Sequence, residues 1–425
     1  MINLDITELM AVWGKAPLKI NPHQCLPLRS PKSGCRLCVE NCPTKAIKLK
    51  ENSIKVIDDQ CTGCGICFNL CPTGVFDMTN FNSHAFAEKA QESIDRDEAI
   101  KLECCKVPFD HSTPESLRLP CLAHITPSLI MRLLSLGANE IKIRDAGICE
   151  VCESRRGDRI ANDIVPKTQE ILKGIGLEHR VCTYIEGISI NNLILEGEGL
   201  KDYKEEPKVS RRQMFDIFKK ETVKGMTGLI QGKDRCKIGK GKEGLKKAVP
   251  KERDELLKNL EGLASALQEA KECIAIKNRN IIKSHIFSTV IINPVRSLPT
   301  EKQFASNSNQ LPAEGASKRA NNGCNMCQLC HLFCPTDALT LKDTENGQGL
   351  VFKTASCVGC RLCVGVCPEE ALTLEVKEIF LDDIVKKKEV DLIWFIKVPC
   401  THCGSVFIKT TSEDICDICL KEKGI

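Results

Sequence analysis

The stretch that decides the fold reads Cys324-Asn-Met-Cys327-Gln-Leu-Cys330-His-Leu-Phe-Cys334-Pro335, and its spacing returns in Cys357-Val-Gly-Cys360-Arg-Leu-Cys363-Val-Gly-Val-Cys367-Pro368. Thiolates at i, i+3 and i+6 can surround one face of an iron–sulfur cubane, while the fourth cysteine points toward a neighbouring cluster. Zinc sites close on four ligands and do not need interleaved runs, and disulfides need an oxidising compartment that nothing in the sequence indicates. The doubled run therefore predicts a pair of [4Fe–4S] clusters.

A second pair of runs lies near the N-terminus. The first run has the last three cysteines of the spacing, which are Cys35, Cys38 and Cys42. The second run has all four, which are Cys61, Cys64, Cys67 and Cys71. Every run ends in Cys-Pro, and the segments that follow (44–49, 73–78, 336–341 and 369–374) match one another. We expect each segment to form one helical turn that leads into a short strand. Each module is then a pseudo-twofold pair of half-motifs.

Both ends of the chain resemble bacterial-type two-cluster ferredoxins. In that family, three cysteines of one run and the last cysteine of the other hold one [4Fe–4S] cluster. The resemblance implies four clusters and four ligand sets. These are Cys61, Cys64, Cys67 and Cys42; Cys35, Cys38, Cys71 and Cys25; Cys357, Cys360, Cys363 and Cys334; and Cys324, Cys327, Cys330 and Cys367.

The second of these sets departs from the family pattern. The expected ligand position is occupied by Lys32, and the nearest upstream cysteine is Cys25, ten residues before Cys35. The intervening segment has the Pro, Ser and Gly residues that a loop folding back over a cluster needs. We expect Cys25 to complete the set; the alternatives are His23 as the ligand and a three-iron cluster.

Composition limits the remaining possibilities. The chain has 425 residues and 28 cysteines but only 4% aromatic residues, so metal binding must supply part of the folding energy. The N-terminus lacks the pattern of a signal peptide, and no stretch is apolar enough to span a membrane. Reduced cysteines then indicate a cytoplasmic protein, of an anaerobic cell. A net charge of +4 is too small to indicate nucleic-acid binding.

The central part of the chain changes character. The pattern predicts strands at 117–122, 140–145 and 181–185 and helices at 126–136 and 158–172, which favours an α/β domain with a parallel sheet. Its cysteines follow strands, at the edge where such sheets bind ligands. They are Cys104, Cys105, Cys121, Cys149 and Cys152. Four of these five could hold a further iron–sulfur cluster or a zinc ion.

This central segment resembles the small iron–sulfur subunit of the methyl-viologen-reducing hydrogenase family. The resemblance includes Pro120-Cys121, the stretch from Leu133 to Ala138 and the cysteine pair after the second predicted strand. It implies a [2Fe–2S] centre and partners such as a hydrogenase or a flavin-bearing heterodisulfide reductase. The sequence departs in its Cys-x-x-Cys spacing and in the adjacent Cys104-Cys105. A metal centre, a redox dithiol and buried structural cysteines remain open here.

Adjacent cysteines followed by Cys-x-x-Cys also resemble the cysteine-rich domain of heterodisulfide reductases. That resemblance implies a disulfide-reducing enzyme that uses Cys104, Cys105, Cys149 and Cys152. The sequence departs from it because Lys106 follows the pair where that domain has glycine, and because Cys71 already belongs to a ferredoxin run.

Residues 187–297 are polar and lysine-rich and predict a helical, basic connector. One helix begins near Pro250 and should bury Leu256, Leu260, Leu263 and Leu267. Gly239 to Gly244 fits the dinucleotide fingerprint by letter, but no apolar strand precedes it, so we expect no nucleotide there. The basic run Lys233 to Lys251 is a solvated loop or, as a hypothesis, a docking surface for an acidic redox partner.

The C-terminus has two Cys-x-x-Cys pairs, Cys400/Cys403 and Cys416/Cys419. Their separation is typical of a structural zinc ribbon, with rubredoxin-type iron as the alternative. The leftover residues Cys182, Cys236 and Cys273 are more often inert buried thiols than reactive ones.

Together these patterns predict an α+β multidomain protein in which two dicluster modules flank an α/β domain. The predicted layout is a dicluster module at 1–80, an α/β domain at 98–186, the connector at 187–297, a linker at 298–322, a dicluster module at 323–378 and a four-cysteine ribbon at 395–425. We expect an electron-transfer subunit of an oxidoreductase complex, without a catalytic residue of its own. A disulfide-reducing enzyme and a metal-stabilised scaffold are the alternatives.

Overall fold

The computed structural model describes residues 16–96, 99–188, 246–269, 281–282, 289–292, 323–376, 379–410 and 413–422. The helices are α1 Leu26–Arg29, α2 Leu37–Asn41, α3 Ile66–Leu70, α4 Ser83–Ile94, α5 Pro127–Ser135, α6 Gly157–Lys173, α7 Lys251–Glu269, α8 Leu329–Phe333, α9 Leu362–Val366, α10 Leu381–Val385 and α11 Asp417–Glu422. The glycine motif 239–244, most of the basic run 233–251, Cys236, Cys273 and the predicted linker lie outside the described residues.

The strands fall into a few small sheets. They are β1 Leu18–Ile20, β2 Ile47–Lys50, β3 Ser53–Val56, β4 Phe76–Met78, β5 Ala99–Cys104, β6 Ser116–Leu119, β7 Glu140–Asp145, β8 Val181–Ile185, β9 Ile281–Ile282, β10 Thr289–Ile292, β11 Leu339–Asp343, β12 Gly347–Lys353, β13 Leu372–Glu375, β14 Ile379–Phe380, β15 Glu389–Pro399 and β16 Val406–Ile408.

The two ends of the chain share one arrangement, element by element. In the N-terminal module β1 pairs with β4 and β2 pairs with β3, all antiparallel, and α2 and α3 lie between the strands. In the C-terminal module β10 pairs with β13 and β11 pairs with β12, with α8 and α9 in the corresponding places. Strand β10 lies in the predicted connector, residues 187–297, but it pairs with β13 and therefore belongs to the second dicluster module.

The turns after the four Cys-Pro pairs differ from the helical turns expected from sequence. In each turn the third residue after the cysteine has a left-handed backbone, with φ of 56° at Lys45, 68° at Gly74, 53° at Asp337 and 50° at Glu370. A left-handed residue interrupts a right-handed helical path. The chain therefore turns directly into β2, β4, β11 or β13. The predicted strands are confirmed, and the predicted helical turns are wrong.

The middle of the chain contains the predicted parallel sheet, with strand order β6-β5-β7-β8. Ile100, Leu102, Ile141, Ile143 and Val181 form its core and are almost fully buried. Helices α5 and α6 and strands β6, β7 and β8 match the sequence prediction to within a few residues. Strand β5, which lies at the centre of the sheet, was missed.

A buried carboxylate holds the loop that follows β5. The Glu103 side chain is fully buried, and its Oε2 lies 3.2 Å from Arg144 Nη1. Ser112 donates a hydrogen bond to Oε1, and Arg118 Nε lies 3.8 Å from the same oxygen. Arg118 in turn donates to the carbonyls of Cys105 and Val107. This network fixes the backbone around the Cys104-Cys105 pair.

Helix α7 joins the middle domain to the second dicluster module. Leu256, Leu260 and Leu263 are buried on it, as the sequence predicted, and they share one apolar core with α5 and with Ala355 and Ile384. Strand β15 pairs with β12 and continues into β16, which extends the module toward Cys400. Within the described residues, no helix is long and apolar enough to cross a membrane.

We expect Glu103→Ala to lower the free energy of unfolding of the middle domain by about 3–5 kcal/mol, because it removes the buried carboxylate beside the partly buried Arg118 and leaves the buried Arg144 only the exposed carboxylate of Glu186. The matched control is Glu140→Ala, which removes a half-exposed partner of Lys142 at 3.0 Å on β7 and should cost at most about 1 kcal/mol. Urea unfolding of the full chain, followed by circular dichroism, measures both. Equal losses in the two variants would contradict the role assigned to Glu103.

Candidate metal centres

Site 1 consists of Cys42, Cys61, Cys64 and Cys67. Cys61 and Cys64 precede α3, Cys67 lies within it, and Cys42 follows α2. Burial raises the pKa of Cys67 well above its usual range, and the thiols of Cys64, Cys61 and Cys42 raise it further. Gly63 and Gly65 have φ of 65° and 78°, which lets the loop wrap around the four sulfurs. The structure therefore brings all four predicted ligands of site 1 together.

Site 2 consists of Cys25, Cys35, Cys38 and Cys71. Burial raises the pKa of Cys25 to about 11, and the thiols of Cys71 and Cys35 contribute to the increase. Burial likewise raises the pKa of Cys38 to about 12, with contributions from Cys71, Cys25 and Cys35. Cys25 thus lies with the other three predicted ligands, whereas Lys32 is exposed.

Local structure around site 2 explains how a cysteine ten residues upstream reaches it. Cys25 lies between the short 3₁₀ turn Pro22–Gln24 and helix α1, so the chain returns through compact turns rather than an open loop. The loop before α2 also differs from the other three. Gly65, Gln328 and Arg361 precede their helices with left-handed φ of 78°, 63° and 58°, but Arg36 has φ of −134°.

Sites 3 and 4 lie in the C-terminal module. Site 3 consists of Cys334, Cys357, Cys360 and Cys363, and site 4 consists of Cys324, Cys327, Cys330 and Cys367. Burial raises the pKa of Cys360 to about 12, and Cys357 and Cys334 add to it. Burial raises the pKa of Cys330 to about 12, with contributions from Cys324, Cys327 and Cys367. The structure assembles both predicted sets.

The middle-domain thiols are Cys104, Cys105, Cys121, Cys149 and Cys152, which lie after β5, β6 and β7. Burial raises the pKa of Cys121 to about 12, and the thiols of Cys149 and Cys152 are among its neighbours. A methyl group at Gly157 would lie 2.6 Å from Cys121 Sγ and 3.7 Å from Cys149 Sγ, so these two sulfurs flank the start of α6. The charge of Cys121 also acts on Cys104.

The two members of the Cys104-Cys105 pair have opposite properties. A hydrogen bond between their side chains, together with burial, raises the pKa of Cys104. The same hydrogen bond lowers the pKa of Cys105 to about 7, and the charges of Lys106 and Arg118 lower it further. Cys105 is also the more exposed of the two.

The four C-terminal thiols form the ribbon site. The sulfurs of Cys400, Cys403, Cys416 and Cys419 all lie within 4.8 Å of one another, and no other group of three or more candidate ligands in the described part of the chain is as tight. Hydrogen bonds from the backbone N–H groups of Cys416 and Cys403 lower the pKa of Cys400 to about 6. This arrangement could bind a single metal ion with four thiolates.

The chemistry of sites 1 to 4 fits iron–sulfur clusters. In each set the neighbouring sulfurs raise the pKa of at least one cysteine, namely Cys67, Cys38, Cys363 and Cys330, so the thiolate form needs a cationic group at the centre. Backbone N–H groups approach the sulfurs as well: Val75 N lies 3.4 Å from Cys71 Sγ, and Ala371 N lies 3.4 Å from Cys367 Sγ. Such contacts stabilise the thiolate and tune a bound cluster.

Three buried basic side chains at these sites were missed by sequence reasoning. His124 lies between site 1 and the middle-domain thiols, where a methyl group at Gly65 would lie 2.9 Å from its ring. Burial lowers the pKa of His124 to about 4, so the ring is neutral. Arg29 and Arg253 are buried beside site 3. Because His124 is distant in sequence from site 1, and Arg29 and Arg253 are distant in sequence from site 3, no spacing pattern indicates these contacts.

A family model described as a 4Fe-4S dicluster domain matches the chain twice, over residues 33–75 and 323–371. The chain therefore has a 4Fe-4S dicluster domain at each end, as its cysteine runs predicted. The two matches contain every cysteine of sites 1 to 4 except Cys25. No curated protein matches the chain.

We expect Cys25→Ala to reduce the iron of the anaerobically purified chain, because site 2 loses a thiolate that the structure places among the other three. A complete loss of the centre would remove about four of about sixteen irons. Lys32→Ala is the control at the position that the ferredoxin spacing would use, and His23→Ala tests the alternative ligand. Iron and acid-labile sulfide that fall in His23→Ala but not in Cys25→Ala would contradict the assignment.

Proposed function

We propose that this chain is an electron-transfer subunit that holds four [4Fe–4S] clusters in one row, as part of a larger oxidoreductase complex. The observation that carries the proposal is the order of the sites in space. The row runs from the middle-domain thiols through site 1, site 2 and site 3 to site 4. A bound [4Fe–4S] cluster supplies one-electron redox chemistry. The chain's contribution is to fix the positions and surroundings of the four sites.

The first junction links the middle domain to site 1. Cys64 of site 1 and Cys121 of the middle domain belong to one apolar cluster with Ile66, Ala123 and Ile160. Across the same junction, Thr62 Oγ1 lies 3.3 Å from Ser154 Oγ. The charge of Cys64 acts on Cys121, which places the two sulfurs in each other's electrostatic range. A dry contact of this kind favours electron exchange between centres on its two sides.

The next links lie inside the modules. Cys38 of site 2 is among the neighbouring charges that raise the pKa of Cys67 in site 1. In the second module, Cys330 of site 4 is among the neighbouring charges that raise the pKa of Cys363 in site 3. Both relations follow from the interleaved runs, in which the last cysteine of each run crosses to its partner site.

The third junction joins the two dicluster modules. Cys35 of site 2 and Cys360 of site 3 pack against the same buried cluster of Leu26, Leu362 and Val366. Without this contact the chain would contain two separate pairs of clusters. Because this contact joins site 2 to site 3, the four sites form a single row.

The two ends of the row have different surroundings. At one end Cys327 of site 4 is exposed, so a partner can approach this site directly. At the other end the row meets the middle-domain thiols. We propose a further iron–sulfur centre there, because Cys121 and Cys149 flank one helix start, Cys152 acts electrostatically on both, and these thiols are more widely spread than the ribbon thiols. For the ribbon site we propose structural zinc.

The partners follow from the resemblance of the central segment. A hydrogenase or flavoprotein subunit, in the cytoplasm of an anaerobic cell, is the proposed neighbour in the complex. Cytoplasmic location and partner class rest on sequence resemblance and cysteine chemistry.

A disulfide-reducing enzyme is the second candidate, and one observation favours it. The lowered pKa of Cys105 and its partial exposure are properties of a nucleophilic thiolate. In this candidate the Cys105 thiolate attacks the substrate disulfide and releases one thiol, and Cys104 then attacks the mixed disulfide at the Cys105 sulfur and releases the second thiol. Two electrons from the iron–sulfur centres would reduce the resulting Cys104–Cys105 disulfide. The relay remains the main proposal because the row of sites requires no substrate in the middle domain.

The proposed experiment separates the two candidates. The full chain, purified without oxygen, is expected to contain about sixteen or more irons, matching acid-labile sulfide and about one zinc. Reduced viologen should transfer electrons to these centres without consuming an added disulfide. Catalytic disulfide consumption that disappears in Cys105→Ala would favour the enzyme. A preparation without labile sulfide would end the relay proposal.

We expect Gly157→Ala to reduce the iron bound in the middle domain, because the added methyl group would lie 2.6 Å from Cys121 Sγ. Alanine is otherwise the better helix former by up to about 1 kcal/mol, so a loss cannot come from helix propensity. Gly262→Ala in α7, where nothing lies within 4 Å of the added group, is the control and should keep all its iron. Iron analysis and EPR spectra of both variants measure the effect. Identical spectra would remove the middle-domain centre from the proposal.

A further inference from the structure

The boundary between the two dicluster modules contains a charged residue as well as apolar ones. Leu26 begins helix α1 and is 3% exposed, like Leu362 and Val366 of the other module. Arg29 ends the same helix one turn later and is only 5% exposed. Helix α1 follows directly on Cys25 of site 2, so Arg29 is covalently part of the N-terminal module.

The guanidinium group of Arg29 is only partly satisfied by protein atoms. Nη1 donates to the carbonyl of His23 at 2.9 Å and to the carbonyl of Lys246 at 2.7 Å. Nε and Nη2 are buried and have no hydrogen-bond partner in the described structure. A buried donor without an acceptor costs about 1–3 kcal/mol, and more when the group is charged. Two such donors on one residue indicate that an acceptor belongs there.

Position and charge together identify this acceptor. Cys360 of site 3 packs against the same apolar cluster as Leu26 of helix α1, one turn before Arg29. The charges that act on Arg29 are those of Cys334 and Cys360, both in site 3, followed by the carboxylate of Asp337. Asp337 is half-exposed and lies 2.9 Å from Lys247 Nζ, so it already has a cationic partner. The group that remains for Arg29 is the sulfur-rich centre of site 3. Cluster sulfides and cysteine sulfurs both accept hydrogen bonds.

A second buried arginine contacts the backbone that leads into site 3. Arg253 of α7 donates from Nε to the carbonyl of Ala355 at 2.8 Å and from Nη2 to the carbonyl of Cys357 at 2.8 Å. The described residues contain three buried arginines, and the third, Arg144, is paired with Glu103 in the middle domain. Two of the three therefore surround one of the four sites.

From this geometry we propose that Arg29 donates hydrogen bonds across the module boundary to the cluster of site 3 and raises the reduction potential of that cluster. Reduction adds a negative charge, which a buried guanidinium and its N–H donors stabilise. Site 3 then has the highest reduction potential in the row, and its cluster is the first to be reduced. The inference rests on the proposed function, since it requires a cluster at site 3. It also makes the potential depend on contact between the modules.

The test is an anaerobic redox titration of the full chain, monitored by EPR, for the wild type and for Arg29→Gln. We expect the equilibrium constant for reduction of one centre to fall at least tenfold, about 59 mV for one electron. The other centres should keep their potentials. Arg361→Gln is the matched control because Arg361 adjoins Cys360 in sequence and is exposed, so solvent screens its charge. We expect less than a twofold change there.

Arg29→Lys separates charge from folding. It keeps the positive charge but lacks the planar fork, and we expect full iron content with a smaller fall in potential than in Arg29→Gln. If Arg29→Gln loses iron, the titration of Arg29→Lys shows whether Arg29 raises the reduction potential of the cluster at site 3. Potentials that stay unchanged in an Arg29 variant with full iron would overturn this inference alone. A wild-type chain without iron and labile sulfide would instead overturn the proposed function.

Discussion

The two dicluster modules depend on one constraint, the mutual repulsion of clustered cysteine thiolates. Each of sites 1 to 4 gathers four cysteines whose neighbours raise the pKa of at least one thiol in the set, as at Cys67 and Cys363. Such a set is unfavourable as thiolates and stable only with a cationic group at its centre. The small modules around them consist of short antiparallel strands, five-residue helices and tight turns, which bury little apolar surface. Metal binding and folding are therefore one process in these modules.

The middle domain is stabilised by apolar burial rather than by metal binding. Its parallel sheet has a core of aliphatic residues that are almost fully buried, and it can supply most of its own folding energy. Helix α7 extends this core to Ala355 and Ile384, so the second dicluster module is anchored on a conventional core. The apolar cluster at Leu26 and Leu362 then joins the first module to the second. The middle domain thus acts as a scaffold on which the two metal-dependent modules are held in contact.

The buried charged residues of this protein have specific partners, because electrostatic interactions are stronger in the low-dielectric interior than in water. Glu103 is buried with Arg144 and Arg118, and this network fixes the backbone that carries Cys104 and Cys105. Arg253 fixes the turn that leads to Cys357. Arg29 differs because two of its donors, Nε and Nη2, are buried without a hydrogen-bond partner in the described structure. Of these arginines, it is the one that links a charge in the first module to a site in the second.

The sequence by itself determined the cluster sets, because ligand spacing along the chain is a local property. The doubled runs indicated fifteen of the sixteen cysteines in sites 1 to 4, and the family match contains the same fifteen. Alternating strands and helices likewise predicted the parallel sheet, although β5 was missed because its six residues lie between charged stretches. The left-handed residues after each Cys-Pro were missed because Lys45, Asp337 and Glu370 are not glycine.

Only the tertiary structure decided how these parts meet. The sequence favoured Cys25 but left His23 and a three-iron cluster open, and only the turns at Pro22–Gln24 and α1 bring Cys25 to site 2. Sites 2 and 3 are neighbours because Leu26 packs in one cluster with Leu362, and these residues are more than three hundred positions apart. The same packing buries Arg29 at the boundary between the modules. Packing between distant segments depends on shape and burial, and the spacing of residues along a chain does not encode either directly.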